Sequence, residues 1–329
     1  MTKRRGLNFN NVPLLVTIGL FLLMFGTGSV AFPGFFSLQN VLNLFIDNSY
    51  LLILGVGMTF VIVSGGIDLS VGSVLALSTM IASSLIEHAH MNPFLAMLIV
   101  VACGATLGLI MGYLIQEFDI PPFIVTLAGL YLARGLCYII SLETIAIQNP
   151  TFLAVAGWQL PLGPNAYLSM GSLVAIFLVC LGWFISRYTN FGRTVFAIGG
   201  NENSAILMGL PVHRTKILIY VVSGVCTALA GIVFTFYTLS GYALNGNGME
   251  LDTIASVVIG GTLLTGGIGS IIGTVLGVFV YGSIQVLIMF QGNLNAWWTR
   301  IVIGLLVFLF SVLQRVFEAH RARRRPGGA

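Results

Sequence analysis

The chain has 329 residues, of which 57% are hydrophobic and only 7% charged, and its mean hydropathy is +1.00. Soluble domains carry about a quarter charged residues, so this composition excludes a single soluble core and indicates a chain that lies largely in lipid. The net charge is +4, but the basic residues gather in segments between and beyond apolar runs, not along a stripe, and so do not indicate a nucleic-acid binder.

The first run, Leu14 to Phe32, follows Lys3, Arg4 and Arg5. A basic start before an apolar stretch also describes a signal peptide, and Ser29-Val30-Ala31 loosely fits a cleavage site. The run exceeds the ~7–15-residue core of such signals, so a retained first span is expected. The next runs are Val41–Val63, Val71–Ile86, Pro93–Ile115, Pro121–Ile140 and Ser169–Ser186. After a polar segment come Ile217–Leu239, Leu251–Leu264, Ile268–Phe290 and Trp298–Leu313. The expected fold is an all-α polytopic membrane protein with about ten transmembrane helices, two of them short. It forms one domain over residues 1–329.

An even span count puts both termini on one side. Twelve of the 14 Lys and Arg residues then share one face. They lie in the N-terminus (1–13), in the segment 187–216 and in the tail (315–329). The opposite loops, including the long one from Ser141 to Leu168, contain none. By the positive-inside rule the basic face is cytoplasmic. Trp158, Trp297 and Trp298 fall near the outer interface, where aromatic anchors sit.

Between the second and third runs stands SGGIDLSVGS, Ser64 to Ser73. Gly65, Gly66 and Gly72 make a regular helix costly there. Non-helical backbone at membrane depth is tolerated only inside protein or against a water-filled cavity. Ser64, Asp68 and Ser70 would supply polar groups to a translocation pathway. A plain turn, with Asp68 and Ser70 capping the next helix, fits the same residues. A second stretch, VVIGGTLLTGGIGSIIGT from Val257 to Thr274, again has paired glycines, Gly260-Gly261 and Gly266-Gly267. Each ends in a Gly-Ser pair that opens an apolar helix. Spans two to five and seven to ten are expected to be related halves with glycine-broken segments near a central pathway. Close helix packing through small residues is the alternative for some of these glycines.

Arg134 and Asp47 are further charges inside apolar runs. At ~1.5 Å per residue, Arg134 lies about 20 Å up a core of roughly 30 Å, and Asp47 about 9 Å down from the other side. The depths agree within about a turn, which allows a buried ion pair; snorkelling to headgroups or a wet vestibule would serve either residue equally.

The segment Arg187–Lys216 contains Asn201 or Asn203 as a cap, Glu202 near a helix start, and Gly209 and Pro211 as its end. The helix between them, with Ala205, Ile206 and Met208 apolar, is too short to stand alone and is expected to seat in a partner's groove. A loop helix on the membrane surface is the alternative. Cys103, Cys137, Cys180 and Cys226 lie inside apolar runs without metal spacing. Both lysines follow threonine, so no Walker A motif exists, and HExxH and GxSxG are absent.

Taken together, SGGIDLSVGS, IPPFIVTLAGLYLARGL (Ile120–Leu136), FGRTVFAIGGNENSAILMGLPV and VVIGGTLLTGGIGSIIGT resemble the membrane permease subunits of bacterial monosaccharide ABC importers of the ribose, xylose and galactose type. General likeness, without a sugar-reading motif, is greatest to the galactofuranose importers. The resemblance implies a non-enzymatic translocation subunit of the inner membrane, without cofactor or metal. It also implies a second permease subunit, identical or sister, a cytoplasmic ATP-binding subunit and a periplasmic sugar-binding protein. Gly200, Asn201, Glu202, Ala205, Met208 and Gly209 would belong to the element that couples to the ATPase. Asn203-Ser204 departs from the alanine pair frequent in the family. Two rivals remain: a stand-alone secondary sugar transporter, which the scarcity of intramembrane carboxylates disfavours, and an intramembrane enzyme, for which no nucleophile–base set is present.

Overall fold

A computed structural model describes residues 12–33, 35–163, 166–292 and 296–323. The expected basic N-terminus, with Lys3, Arg4 and Arg5, lies outside the described residues, as do Arg324 and Arg325 of the tail.

Every one of the expected runs contains helix. They are α1 (Val12–Ala31), α2 (Leu38–Asp47) with α3 (Ser49–Val63), α4 (Val71–Glu87), α5 (Pro93–Glu117) and α6 (Pro122–Ile140). After α7 (Pro150–Ala156) follow α8 (Met170–Tyr188), α9 (Asn190–Gly200), α10 (Glu202–Leu207), α11 (Val212–Thr238), α12 (Met249–Ile259), α13 (Ile271–Gln291) and α14 (Ala296–Arg323). Helix starts are written locally. Asn92 accepts from the Phe94 N–H with Pro93 in the first turn of α5, Ser169 accepts from Ser172 N–H at α8, and Ser270 accepts from Gly273 N–H at α13.

Length and hydropathy mark six of these as membrane-crossing: α1, α5, α6, α8, α11 and α13. The pair α2–α3, bent by 55° at Asn48, makes a seventh. The expected count of ten also includes α4, α12 and the apolar part of α14, which are too short for that test.

At the core stands α3, with every residue from Leu51 to Val63 buried. A helix apolar all round belongs inside, not at a surface. Beside it α11 packs on α5 through glycines. A Cβ on Gly104 would collide with Ala228 and the Gly224 carbonyl, one on Gly108 with Tyr220 backbone, and one on Gly112 would stand 2.8 Å from the Ile217 carbonyl oxygen. Small residues let two backbones approach where lipid offers no lateral hydrophobic drive.

The long segment after α6, expected as a loop, is built. β1 (Ile145–Ala146) pairs antiparallel with β4 (Ser240–Gly241), and β2 (Gln159–Gly163) with β3 (Ala166–Ser169). The Glu87 carboxylate at the end of α4 accepts from Gln148 N–H (2.7 Å) and Asn149 N–H (2.9 Å). These strands and α7 stand at one end of the bundle; α9 and α10 stand at the other.

Candidate translocation site and docking element

The stretch after α3 turns by a left-handed glycine. Gly65 has φ +85°, its N–H donates to Ile62 O (2.9 Å), and Gly66 N–H donates to Val61 O (3.0 Å). The chain then runs without regular secondary structure to Ser70. Asp68 is 1% exposed; one carboxylate oxygen accepts from Ser70 N–H (2.9 Å) and Ser70 Oγ (2.6 Å), the other from Ser223 Oγ of α11 (2.7 Å). Asp68 thus fastens the break to α11. Ser70 spends its hydroxyl on Asp68 and makes no cap bond of its own.

At the second stretch α12 ends in the same way. Gly261 has φ +91°, its N–H donates to Val258 O (2.9 Å), and Thr262 N–H donates to Val257 O (3.2 Å). The two stretches meet: Gly267 N–H donates to Val63 O (2.8 Å). Gly199 of α9 packs so tightly there that a Cβ would strike Val63 O and leave 2.5 Å to Gly267 N. Of the residues expected to line a pathway (Ser64, Gly65, Gly66, Asp68, Ser70, Gly260, Gly261, Gly266 and Gly267), only Gly65 is largely exposed. Gly65, Gly266 and Gly267 meet α9 at a junction of three segments, while Asp68 and Ser70 tie the first stretch to α11 and Gly260 packs on Gly273 of α13.

Arg134 and Asp47 do not pair, which corrects the depth argument. Arg134 on α6 donates from Nη1 to Ala243 O and to Asn245 O (3.0 Å). The described side-chain ion pairs are His213–Glu117 (2.5 Å) and Lys216–Glu202 (2.6 Å). Equal depth places two residues in one plane of the membrane but not on the same side of the bundle. Among described helices α6 packs on α4 and α5, while α2 packs on α3, α8 and α13.

Arg134 points to a segment that sequence reasoning treated as an outer loop. From Leu239 to Gly248 the chain runs along α4, from one end of the bundle inward. A Cβ on Gly241 would strike Ser83 Oγ, and Asn245 Nδ2 donates to Thr79 Oγ1 (3.3 Å). The Gly246 carbonyl presses on Gly72, as does the Glu250 carboxylate. Gly72 follows Asp68, which is tied to Ser223, next to the Gly224–Gly104 contact near the middle of α5. So α12 begins near mid-depth, which is why its apolar run is short: a run of turns, with Asn245 N–H donating to Tyr242 O (3.0 Å) and Asn247 N–H to Leu244 O (3.3 Å), covers the first half. The sequence carried a signal for this in GYALNGNGMEL (Gly241–Leu251), where asparagines, glycines and Glu250 precede an undersized span.

In the 187–216 segment α10 forms as expected. Asn201 accepts from Ser204 N–H (2.8 Å), Gly209 ends the helix at φ +73°, and Lys216 pairs with Glu202 (2.6 Å). Ala205 is 0% exposed, packed with Ile198 and Val212. It is therefore not a free docking residue. The companion helix α9, capped by Thr189, supplies the partner that sequence reasoning missed. The outward apolar residues are Ile206, Leu207 and Met208. Among the described residues no His, Cys, Asp and Glu side chains converge as a metal site.

Residues 40–311 match the family described as branched-chain amino acid transport system / permease component. The chain belongs to this family. It is 48% identical over 307 residues, 93% of this chain and 92% of the relative, to the Escherichia coli K12 protein named "inner membrane ABC transporter permease protein YjfF". It is 41% identical over 314 residues (94% and 92%) to the fructose import permease protein FruG of Bifidobacterium longum. It is 37% identical over 257 residues (77% and 78%) to the ribose import permease protein RbsC of Haemophilus influenzae. No solved structure matches the chain.

Proposed function

We propose that the chain is the translocation subunit of an ATP-driven monosaccharide importer of the bacterial inner membrane and hydrolyses nothing itself. The observation that carries this reading is similarity over 94% of the chain to a permease whose name specifies fructose import and over 77% to one whose name specifies ribose import. A polar, non-helical segment held at membrane depth by Arg134 supports it, because such backbone belongs inside protein or against water. The outward apolar trio on α10 supports docking of a cytoplasmic ATP-binding subunit at the α9–α10 end. A periplasmic sugar-binding protein and a second permease subunit complete the assembly. On this reading α4, α12 and α14 are also membrane segments, the whole chain is one permease domain, and both termini are cytoplasmic. The matched ends of α3 and α12 support treating spans two to five and seven to ten as related halves. Galactofuranose is the working substrate, with ribose and fructose as the other candidates.

The test is reconstitution in vesicles with the ATP-binding subunit and binding protein, followed by uptake of labelled D-galactofuranose, D-ribose and D-fructose. Uptake of one sugar that requires ATP is expected. Uptake that persists without ATP hydrolysis and follows an ion gradient would replace this reading with that of a secondary transporter.

A further inference from the structure

We propose that the segment Leu239–Gly248, with the first turn of α12, carries the sugar-contacting site of the pathway, and that Asn247 and Glu250 hydrogen-bond sugar hydroxyls there. This rests on the importer reading above. The segment is non-helical near mid-depth, as its contacts with Gly72 and Thr79 place it. Yet it is not sealed inside the protein. Asn247 is exposed, Asn245, Glu250 and Arg134 are half-buried, and the flanking Leu244 and Leu251 are 46% and 64% exposed. Arg134 of α6 holds one edge through the Ala243 and Asn245 carbonyls, and the Arg300 guanidinium of α14 stands beside Gly248 on the other.

Lipid cannot solvate such a face. Its open side must therefore meet water or another polar surface. The groups that remain free to bind suit a neutral polyol better than an ion. Asn247 offers an amide that both donates and accepts. One Glu250 carboxylate oxygen is buried against Gly72 without a hydrogen-bond partner. Arg134 spends Nη1 on backbone, so it is a positioning residue that fixes the turns of the segment through two of their carbonyls. Gly72 and Gly246 permit the close approach; side chains at either would push the segment into the opening.

The experiment introduces Asn247→Cys into a chain whose Cys103, Cys137, Cys180 and Cys226 are replaced by serine or alanine, assembled with its ATP-binding subunit. A membrane-impermeant thiol reagent is the probe. We expect labelling, slowed at least threefold by the sugar that the wild-type complex imports and not by the other two. Asn247→Leu and Glu250→Gln should each raise the KM for uptake about tenfold or more while folded yield stays at wild-type level. An unlabelled Asn247→Cys would overturn the inference, since the face would then be covered by lipid or by the second permease. Labelling that no sugar slows, with KM unchanged in both other variants, would overturn it equally. Wild-type complex that takes up none of the three sugars would instead sink the importer reading; normal wild-type uptake beside either negative result sinks only the site.

Discussion

The α10 helix offers the sharpest test of how this chain meets its motor. Leu207 is 87% exposed and Met208 66%, while Ala205, two residues before Leu207, is at 0%. Fully burying a leucine or methionine side chain contributes about 1.5–3 kcal/mol. Nearly all of that remains available at Leu207 for a partner to realise. Leu207→Ala should therefore weaken association with the ATP-binding subunit by roughly ten- to a hundredfold. The isolated permease should melt as wild type, since this side chain touches little of its own chain. Ala205→Glu should behave differently. A carboxylate forced between Ile198 and Val212 costs several kcal/mol unless it finds a partner, so it should unfold the α9–α10 pair and lower the melting temperature of the permease alone. The assay is pull-down from solubilised membranes at graded concentrations of ATP-binding subunit, beside thermal melts of the permease by itself. Wild-type association in Leu207→Ala combined with Met208→Ala would refute docking at α10. Wild-type melting of Ala205→Glu would refute the burial that separates the two effects.

Three further outcomes follow from the packing. Arg134→Gln and Asp47→Asn act at separate sites, so their effects on thermal stability should add to within about 0.5 kcal/mol; a coupling above ~2 kcal/mol in a double-mutant cycle would restore the ion pair. Asp68→Ala removes the acceptor for Ser70 N–H, Ser70 Oγ and Ser223 Oγ and should cost about 3 kcal/mol or more, with charged-group hydrogen bonds at ~1.5–3 each; a denaturation shift no larger than that of Ser223→Ala would contradict this. Gly104→Leu forces bulk between α5 and α11 and should abolish folded yield, whereas Gly135→Leu, with nothing within 4 Å of a Cβ there, should express normally; equal yields would show that the glycine contact is not close.

Much of this protein was readable in linear form. Periodic starts such as Asn92-Pro93 and Ser169 mark helices because a cap is satisfied by residues two or three positions away. The apolar runs located every long helix, because in lipid a spanning segment must close its own backbone hydrogen bonds. The short helix at Glu202–Leu207 was legible from Asn201 and Gly209 for the same local reason. The resemblance carried by four motifs points to a permease from the sequence by itself.

What tertiary structure decided is which side of each element faces what. Asp68 was a polar residue in a glycine-rich break; only its contact with Ser223, 155 positions away, makes it a fastener of that break. Ala205 and Leu207 lie in one apolar turn, yet α9 covers the first and leaves the second bare. Arg134 and Asp47 share a depth, but depth is a one-dimensional coordinate and azimuth around the bundle is set by packing. Gly246 lies between two apolar runs in a turn-rich stretch that carries no helical period; its approach to Gly72 draws that stretch toward the middle of the molecule. Local signals act over a turn or two of chain, whereas the site is made by contacts between segments more than a hundred residues apart, and those exist only once the helices have packed.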